Sequence, residues 1–198
     1  SLPTIDAGVQ EVRSGALDRL QVELTGIVPV SEGTDAAIAT TPGVRDATPS
    51  LRMGGQLLGQ EGRPPIDVFL EALDLDNDVW HPTIRQAVPS GDLPGIVIAE
   101  EAADDLGLNP GDVLRVRHPV VETGATAFGS IEEPMRVVGV HPYPIRSFAY
   151  LDDADAGRFG LAGAANVVLV APTPGTDVEA LKRSLFELPG VASAQAAD

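Results

Sequence analysis

Cysteine is missing from the 198 residues, which excludes a disulfide framework and any thiolate zinc site while leaving the redox compartment open. Positive charge is scarce. Thirteen Lys and Arg face 29 Asp and Glu, a formal net charge of −16, and Lys182 is the one lysine. Such a surface repels phosphate backbones and anionic lipid, so no nucleic acid is expected among the partners. Aromatic residues make up only 4%. Trp80, Tyr143 and Phe148 lie beside proline-containing loops, where an aromatic ring is either a partner anchor or local packing, and packing is the expected role. No apolar run approaches the ~20 residues that cross a bilayer. The longest, at 95–99 and 167–171, have the length and β-branched character of strands. The opening Ser1-Leu2-Pro3-Thr4 lacks the basic start and apolar stretch of a secretory signal. The sequence reads as a cytosolic protein or as a soluble piece of a larger one.

Recognisable reaction chemistry is equally sparse. Each of the three histidines precedes a proline: His81-Pro82, His118-Pro119 and His141-Pro142. A residue before proline is held out of the helical region, so none supplies ligands at the helical spacing of H-E-x-x-H, and surface or strand-edge positions are expected. Asp74-Leu75-Asp76-Asn77-Asp78 opens like a calcium loop, but Val79 stands where glycine is required and Arg85 where the closing glutamate is required. An acidic loop is expected instead. Gly54 and Gly59 have the spacing of a phosphate loop, with Gln60-Glu61 in place of the Lys-Ser/Thr pair. No G-x-S-x-G elbow occurs. Carboxylates are too abundant to single out a glycosidase-like pair. The expectation is a chain that is not an enzyme, with no catalytic, cofactor-binding or metal residues and no cofactor.

What is present is punctuation. Hydrophobic residues make up 43%, enough for a chain of this length to bury about 70% of its unfolded surface. Gly33-Thr34-Asp35 and Pro42-Gly43-Val44 return as Gly175-Thr176-Asp177 and Pro189-Gly190-Val191. In the second copy, the strand at 167–171 is broken by Pro172-Thr173-Pro174-Gly175. Thr176 and Glu179 have capping-box spacing, and Val178, Leu181, Leu185 and Leu188 form one helical stripe. Glu179 and Arg183 are an i, i+4 pair, Pro189-Gly190 stops the helix, and a strand starts at Val191. In the first copy, Leu20, Val22 and Leu24 alternate in a strand, followed by a short apolar segment and the same stop. The repeat predicts two β-α-β units lying side by side in one α/β layer.

Different rules govern the middle. Ala99, Ala102, Ala103 and Leu106 face opposite Glu100, Glu101, Asp104 and Asp105, a short amphipathic helix ending at Gly107. Asn109-Pro110-Gly111-Asp112 predicts a type II turn. Leu114, Val116 and His118 alternate with Arg115 and Arg117 in a half-buried strand, and 135–140 is another strand. Asp152-Asp153 and Arg158 suit the two ends of a further helix. Between Pro119 and Pro134, small and polar residues without periodicity predict a long hairpin loop or a mobile tip.

The succession of Pro42-Gly43-Val44, GIVIAEEAADDLGLNPGDVLRV (95–116), MRVVGV (135–140), FAYLDDADAGRFG (148–160) and NVVLVAPTPGTDVEALKRSLFELPGV (166–191) resembles the extracytoplasmic domain of FtsX-like, MacB-like ABC transporter permeases. That resemblance implies an α+β, two-lobed fold. A discontinuous α/β (porter-like) lobe would comprise 1–75 and 145–198, with an inserted, mostly β (sabre-like) lobe at 76–144. It implies a domain on the extracytoplasmic side of the cell membrane that couples cytoplasmic ATP hydrolysis, in a separate ATP-binding subunit, to substrate or partner handling outside. The implied partners are the transmembrane helices of the same permease, a second permease copy or paralogue, and an extracytoplasmic protein or transported substrate. The resemblance carries no catalytic residue onto this chain. Leu106-Gly107-Leu108 and Gly111-Asp112 also fit a soluble adaptor or binding domain built on a double-psi β-barrel, which predicts six interlaced strands and no terminal β-α-β pair. A third reading is a hydrolase with scattered carboxylates.

Overall fold

Leu20, Val22 and Leu24 are buried while Glu23 and Thr25 are exposed, the alternation of a strand with one face on a core. In the structure, a computed structural model that describes residues 19–122, 127–143 and 147–197, this is β1 (Leu20–Pro29). A 3₁₀ turn η1 (Val30–Glu32), α1 (Thr34–Ala39), β2 (Val44–Leu58), β3 (Ile66–Leu73), β4 (Gly95–Ala99) and α2 (Glu100–Leu106) follow. Then come β5 (Val113–Val120), β6 (Gly129–His141), β7 (Phe148–Asp152), the 3₁₀ turn η2 (Asp153–Phe159), β8 (Ala164–Pro172), α3 (Val178–Phe186) and β9 (Val191–Ala196). The described residues form two compact units. One holds residues 19–50, Asp76–Trp80 and 165–197; the other lies within Leu51–Leu75 and His81–Ala164.

The first unit contains both copies of the punctuation. Val44 N–H donates to Thr41 O at 3.1 Å, and Val191 N–H donates to Leu188 O at 3.3 Å. Gly43 (φ 94°) and Gly190 (φ 85°) take the left-handed position that a type II turn gives to the residue after proline. The strand order is β2-β8-β1-β9, with β2 antiparallel to β8 and β9 antiparallel to β1. Each half therefore lays its second strand against the first strand of the other half, the split arrangement of ferredoxin-like sheets. The glycines sit at reciprocal contacts. A Cβ at Gly43 would stand 2.9 Å from Thr176 Cγ2, and one at Gly190 would stand 3.8 Å from Thr34 Cγ2. Gly43 O accepts from Thr173 N–H at 2.8 Å, and Gly190 O accepts from Thr25 N–H at 2.9 Å. Ile38 of α1 and Leu181 and Leu185 of α3 share one core with Leu20, Val22, Val168, Val170 and Val191.

Two local expectations are corrected in this unit. Asp177, not Thr176, caps α3, its Oδ1 accepting from Ala180 N–H at 3.2 Å. Thr176 is instead drawn into the turn by its N–H bond to Thr173 O at 3.1 Å and packed toward Gly43. Glu179 takes Lys182 Nζ at 2.9 Å rather than Arg183.

Past Ser50, β2 runs on into the second unit. There β3–β7 and β4–β6 are parallel, while β4–β7, β5–β6 and β2–β5 are antiparallel. β3 also pairs with β2, so the six strands close on themselves and leave no open edge. The pairing of β3 with β7 and β2 is what groups Leu51–Leu75 and 147–164 with this unit. Six strands match the rival barrel reading, but that reading had no terminal β-α-β pair, and the pair is present. The stretch between Pro119 and Pro134 is more regular than expected: β5 runs to Val120, and Val120 pairs with Gly129 at the start of β6. Its periodicity was hidden because Gly129–Glu132 are exposed on both faces. Residues 123–126 lie outside the described residues. Gly107 (φ 66°) ends α2 with Leu108 N–H on Ala103 O at 2.9 Å. Gly111 (φ 98°) and Asp112 N–H on Asn109 O at 3.0 Å make the predicted type II turn. Asp152 caps η2 through Ala154 N–H at 3.2 Å, so the helix expected there is a 3₁₀ turn.

Candidate functional site

Surface or strand-edge positions hold only for His81, which is exposed; His118 and His141 are buried. His118 is in phase with Leu114 and Val116 on the buried face of β5. Its Nδ1 lies 2.8 Å from Pro119 O and its Nε2 lies 2.6 Å from Glu133 Oε2 on β6. Glu133 Oε1 accepts from Arg158 of η2, and Arg158 Nε lies 3.6 Å from Asp155 Oδ1. Phe159, fully buried, meets the His118 ring edge-on at 4.8 Å. The result is a chain of hydrogen-bonded and ion-paired side chains where η2 packs on β5. Burial raises the affinity of the Asp155 carboxyl for its proton; Arg158 opposes this, while Asp152 and Glu133 add to it.

His141 is a neutral counterpart. Its Nε2–H donates to Phe148 O at 2.9 Å, and its Nδ1 is buried without a hydrogen-bond partner. Burial above all holds its proton affinity below the ordinary histidine range, against the opposing influences of the Phe148 carbonyl and Glu100. Removing the uncompensated nitrogen from water disfavours the charged ring.

The other candidates resolve into packing. Tyr143 Oη accepts from Thr83 N–H at 2.9 Å and donates to Thr83 Oγ1 at 3.1 Å. Phe148 lies 5.4 Å from Phe69 and beneath the Arg52 guanidinium at 5.1 Å, and Arg52 Nη2 reaches the buried Glu71 at 3.4 Å. Arg19 stacks on Trp80 at 4.2 Å. In the acidic loop, Asn77 Oδ1 accepts from Val79 and Trp80 N–H at 2.8 and 2.7 Å, a backbone-directed use of that side chain. Among the described residues no group of three or more His, Asp or Glu is placed to hold a metal ion. Gly54 is inside β2 rather than in a phosphate loop. A Cβ on its neighbour Gly55 would fall 2.7 Å from Leu70 Cδ1 and 2.8 Å from Arg117 O, so close strand packing accounts for that glycine.

No protein-family model matches the sequence, and no curated protein matches it. Among solved structures, the extracellular domain of the noncanonic ABC-type transporter YknZ from Gram-positive bacteria is similar over 91% of this chain and 100% of that chain, with a TM-score of 0.57 and 14% identity. The periplasmic region of MacB from Actinobacillus actinomycetemcomitans is similar over 94% of this chain and 91% of that chain, with a TM-score of 0.56 and 13% identity. This chain shares the fold of those two domains. The His118, Glu133, Arg158 and Asp155 chain was not assembled by the sequence reading. Its one visible signal was His118 in phase with two buried aliphatic residues; Glu133 and Arg158 meet it through strand pairing and the η2 turn.

Proposed function

We propose that this chain is the extracytoplasmic domain of an ABC transporter permease, a non-catalytic module coupling cytoplasmic ATP hydrolysis to substrate or partner handling outside the cell. The observation that carries the reading is the pairing of the first and last described strands. Leu20 pairs with Ala196, and Ala197 N–H donates to Arg19 O at 3.0 Å. The first and last described strands are thus antiparallel neighbours, the arrangement wanted of a domain inserted between two consecutive membrane helices. The likeness to YknZ and MacB domains over nearly the whole chain supports the same reading. The interlocked α/β unit takes the porter-like role next to those helices, and the six-stranded unit takes the sabre-like role. ATP is handled by a separate cytoplasmic subunit, and a second permease copy or paralogue presents a facing domain.

No cysteine occurs in these 198 residues, so one introduced here adds a single labelling site to the domain. Phe186, 60% exposed, is replaced by cysteine in the full-length gene product, and intact cells are treated with a membrane-impermeant maleimide. Labelling beyond that of the unsubstituted protein is expected in intact cells. Labelling only after lysis would overturn the assignment.

A further inference from the structure

We propose that β9 is the seam at which two copies of this domain join, its open edge pairing antiparallel with the same edge of the second copy about a two-fold axis at Gln195. The inference rests on the transporter reading for a second copy held close by, and it names the surface through which the two meet. Ala197 N–H donates to Arg19 O at 3.0 Å, and the register runs unbroken from Leu20↔Ala196 to Glu23↔Ser193. In an antiparallel ladder, hydrogen-bonded and non-hydrogen-bonded pairs alternate. The main chain of Ser193, Gln195 and Ala197 is therefore turned to β1, while the N–H and C=O of Ala194 and Ala196 point the other way. Among the described residues, β1 is the one strand beside β9.

Sheet edges are ordinarily defended by charge, proline or a bulge. At the other end of the β2-β8-β1-β9 order, β2 carries Arg45, Asp46 and Pro49 and shifts register between Val44 and Asp46. β9 reads VASAQA, with neither a charge nor a proline. Its own register shift falls at Glu23/Leu24 and leaves 193–196 in straight pairing. In a chain of net charge −16, two like-charged copies can come to strand distance along this segment without setting carboxylate against carboxylate. An axis at Gln195 puts Ala194 opposite the partner's Ala196 and Ala196 opposite the partner's Ala194, each pair exchanging both N–H···O=C bonds. Gln195 then faces its own counterpart. An amide both donates and accepts, so the two exposed Gln195 side chains complement each other, and one sheet runs through both copies.

The experiment uses the full-length gene product in its membrane under mild oxidation, with Gln195→Cys, Ser193→Cys and the unsubstituted protein as blank. Opposed residues of a non-hydrogen-bonded pair have Cα atoms about 4.5 Å apart, within disulfide reach. The two 193 positions would be offset along the seam by about 14 Å, too far for a disulfide. Gln195→Cys is expected to give disulfide homodimer at about tenfold the yield of Ser193→Cys or more. Adding Ala194→Pro to Gln195→Cys removes an outward N–H and no bond to β1, and is expected to abolish the homodimer. No homodimer at Gln195→Cys, equal yields at 193 and 195, a cross-link to a different polypeptide instead, or a homodimer that survives Ala194→Pro would each overturn the proposal. Should the proline variant not fold, the comparison of 193 with 195 decides alone. The Phe186→Cys labelling tests the transporter reading separately, so labelling in intact cells without a Gln195→Cys homodimer overturns the seam and leaves that reading standing.

Discussion

Replacing Gly43 by alanine tests whether the two repeats are clamped together by their glycines. At φ 94° any L-residue is strained, which costs about 1–2 kcal/mol. The new Cβ would also stand 2.9 Å from Thr176 Cγ2, and pushing a β-branched side chain aside in a packed turn adds about 1 kcal/mol. Gly190→Ala is the internal control. Its φ of 85° carries the same backbone strain, but the nearest atom, Thr34 Cγ2, is 3.8 Å away, an ordinary contact. Gly43→Ala is therefore expected to destabilise by about 2–3 kcal/mol and Gly190→Ala by about 1–2 kcal/mol. Thr176→Ser removes the opposing methyl, so Gly43→Ala in that background should recover about 1 kcal/mol, a coupling within the range of contacting pairs. Urea unfolding followed by the fluorescence of Trp80, the sole tryptophan and a member of the same unit, measures the unsubstituted chain, the three single variants and the double variant. Equal losses at the two glycines, together with no coupling to Thr176, would refute the clamp.

Three further outcomes follow from the same geometry. Asp177→Ala deprives Ala180 N–H of its acceptor and is expected to cost about 1 kcal/mol in urea unfolding, with Asp177→Asn retaining most of the stability. His141 is held below its ordinary value of 6.5 chiefly by burial. Its contribution is fully present above that value and is lost as pH falls through the lowered folded value, so His141→Gln should flatten the acid side of the stability profile. Asp153 is shifted upward from 3.8 by burial first, then by Asp152 and Asp74. Its contribution is present below that value and lost as pH rises through the raised folded value. Asp153→Asn is accordingly expected to raise the urea midpoint near neutral pH, with the gain disappearing below about pH 4.

The parts of this fold legible in sequence were those written locally. Pro189-Gly190, Gly107 and Asn109-Pro110-Gly111-Asp112 dictate a helix stop or a turn through their own φ preferences, and all three act as read. Strand β3 had no such signature. Glu71 interrupts its apolar run and is nevertheless buried, because Arg52 arrives from β2 to meet it. One residue of slippage separated Thr176 from the true cap at Asp177, since both are capping types and only the contact with Gly43 decides between them. The His118 chain failed to appear for a related reason: His118, Glu133 and Arg158 are 15 and 25 residues apart along the chain, and neither interval belongs to a helix or a turn.

The crossing of the two halves governs the order in which this polypeptide can be assembled. β1 precedes the whole six-stranded unit along the chain, yet its edge partner β9 is the last strand of the fold. A nascent chain stalled before Val191 would carry an unsealed sheet margin, a hazard for aggregation. The six-stranded unit has all its pairings between Leu51 and Ala164. Its completion beforehand would replace a long floppy loop between β2 and β8 with a preformed spacer, reducing the loop-closure entropy that the final strand must overcome.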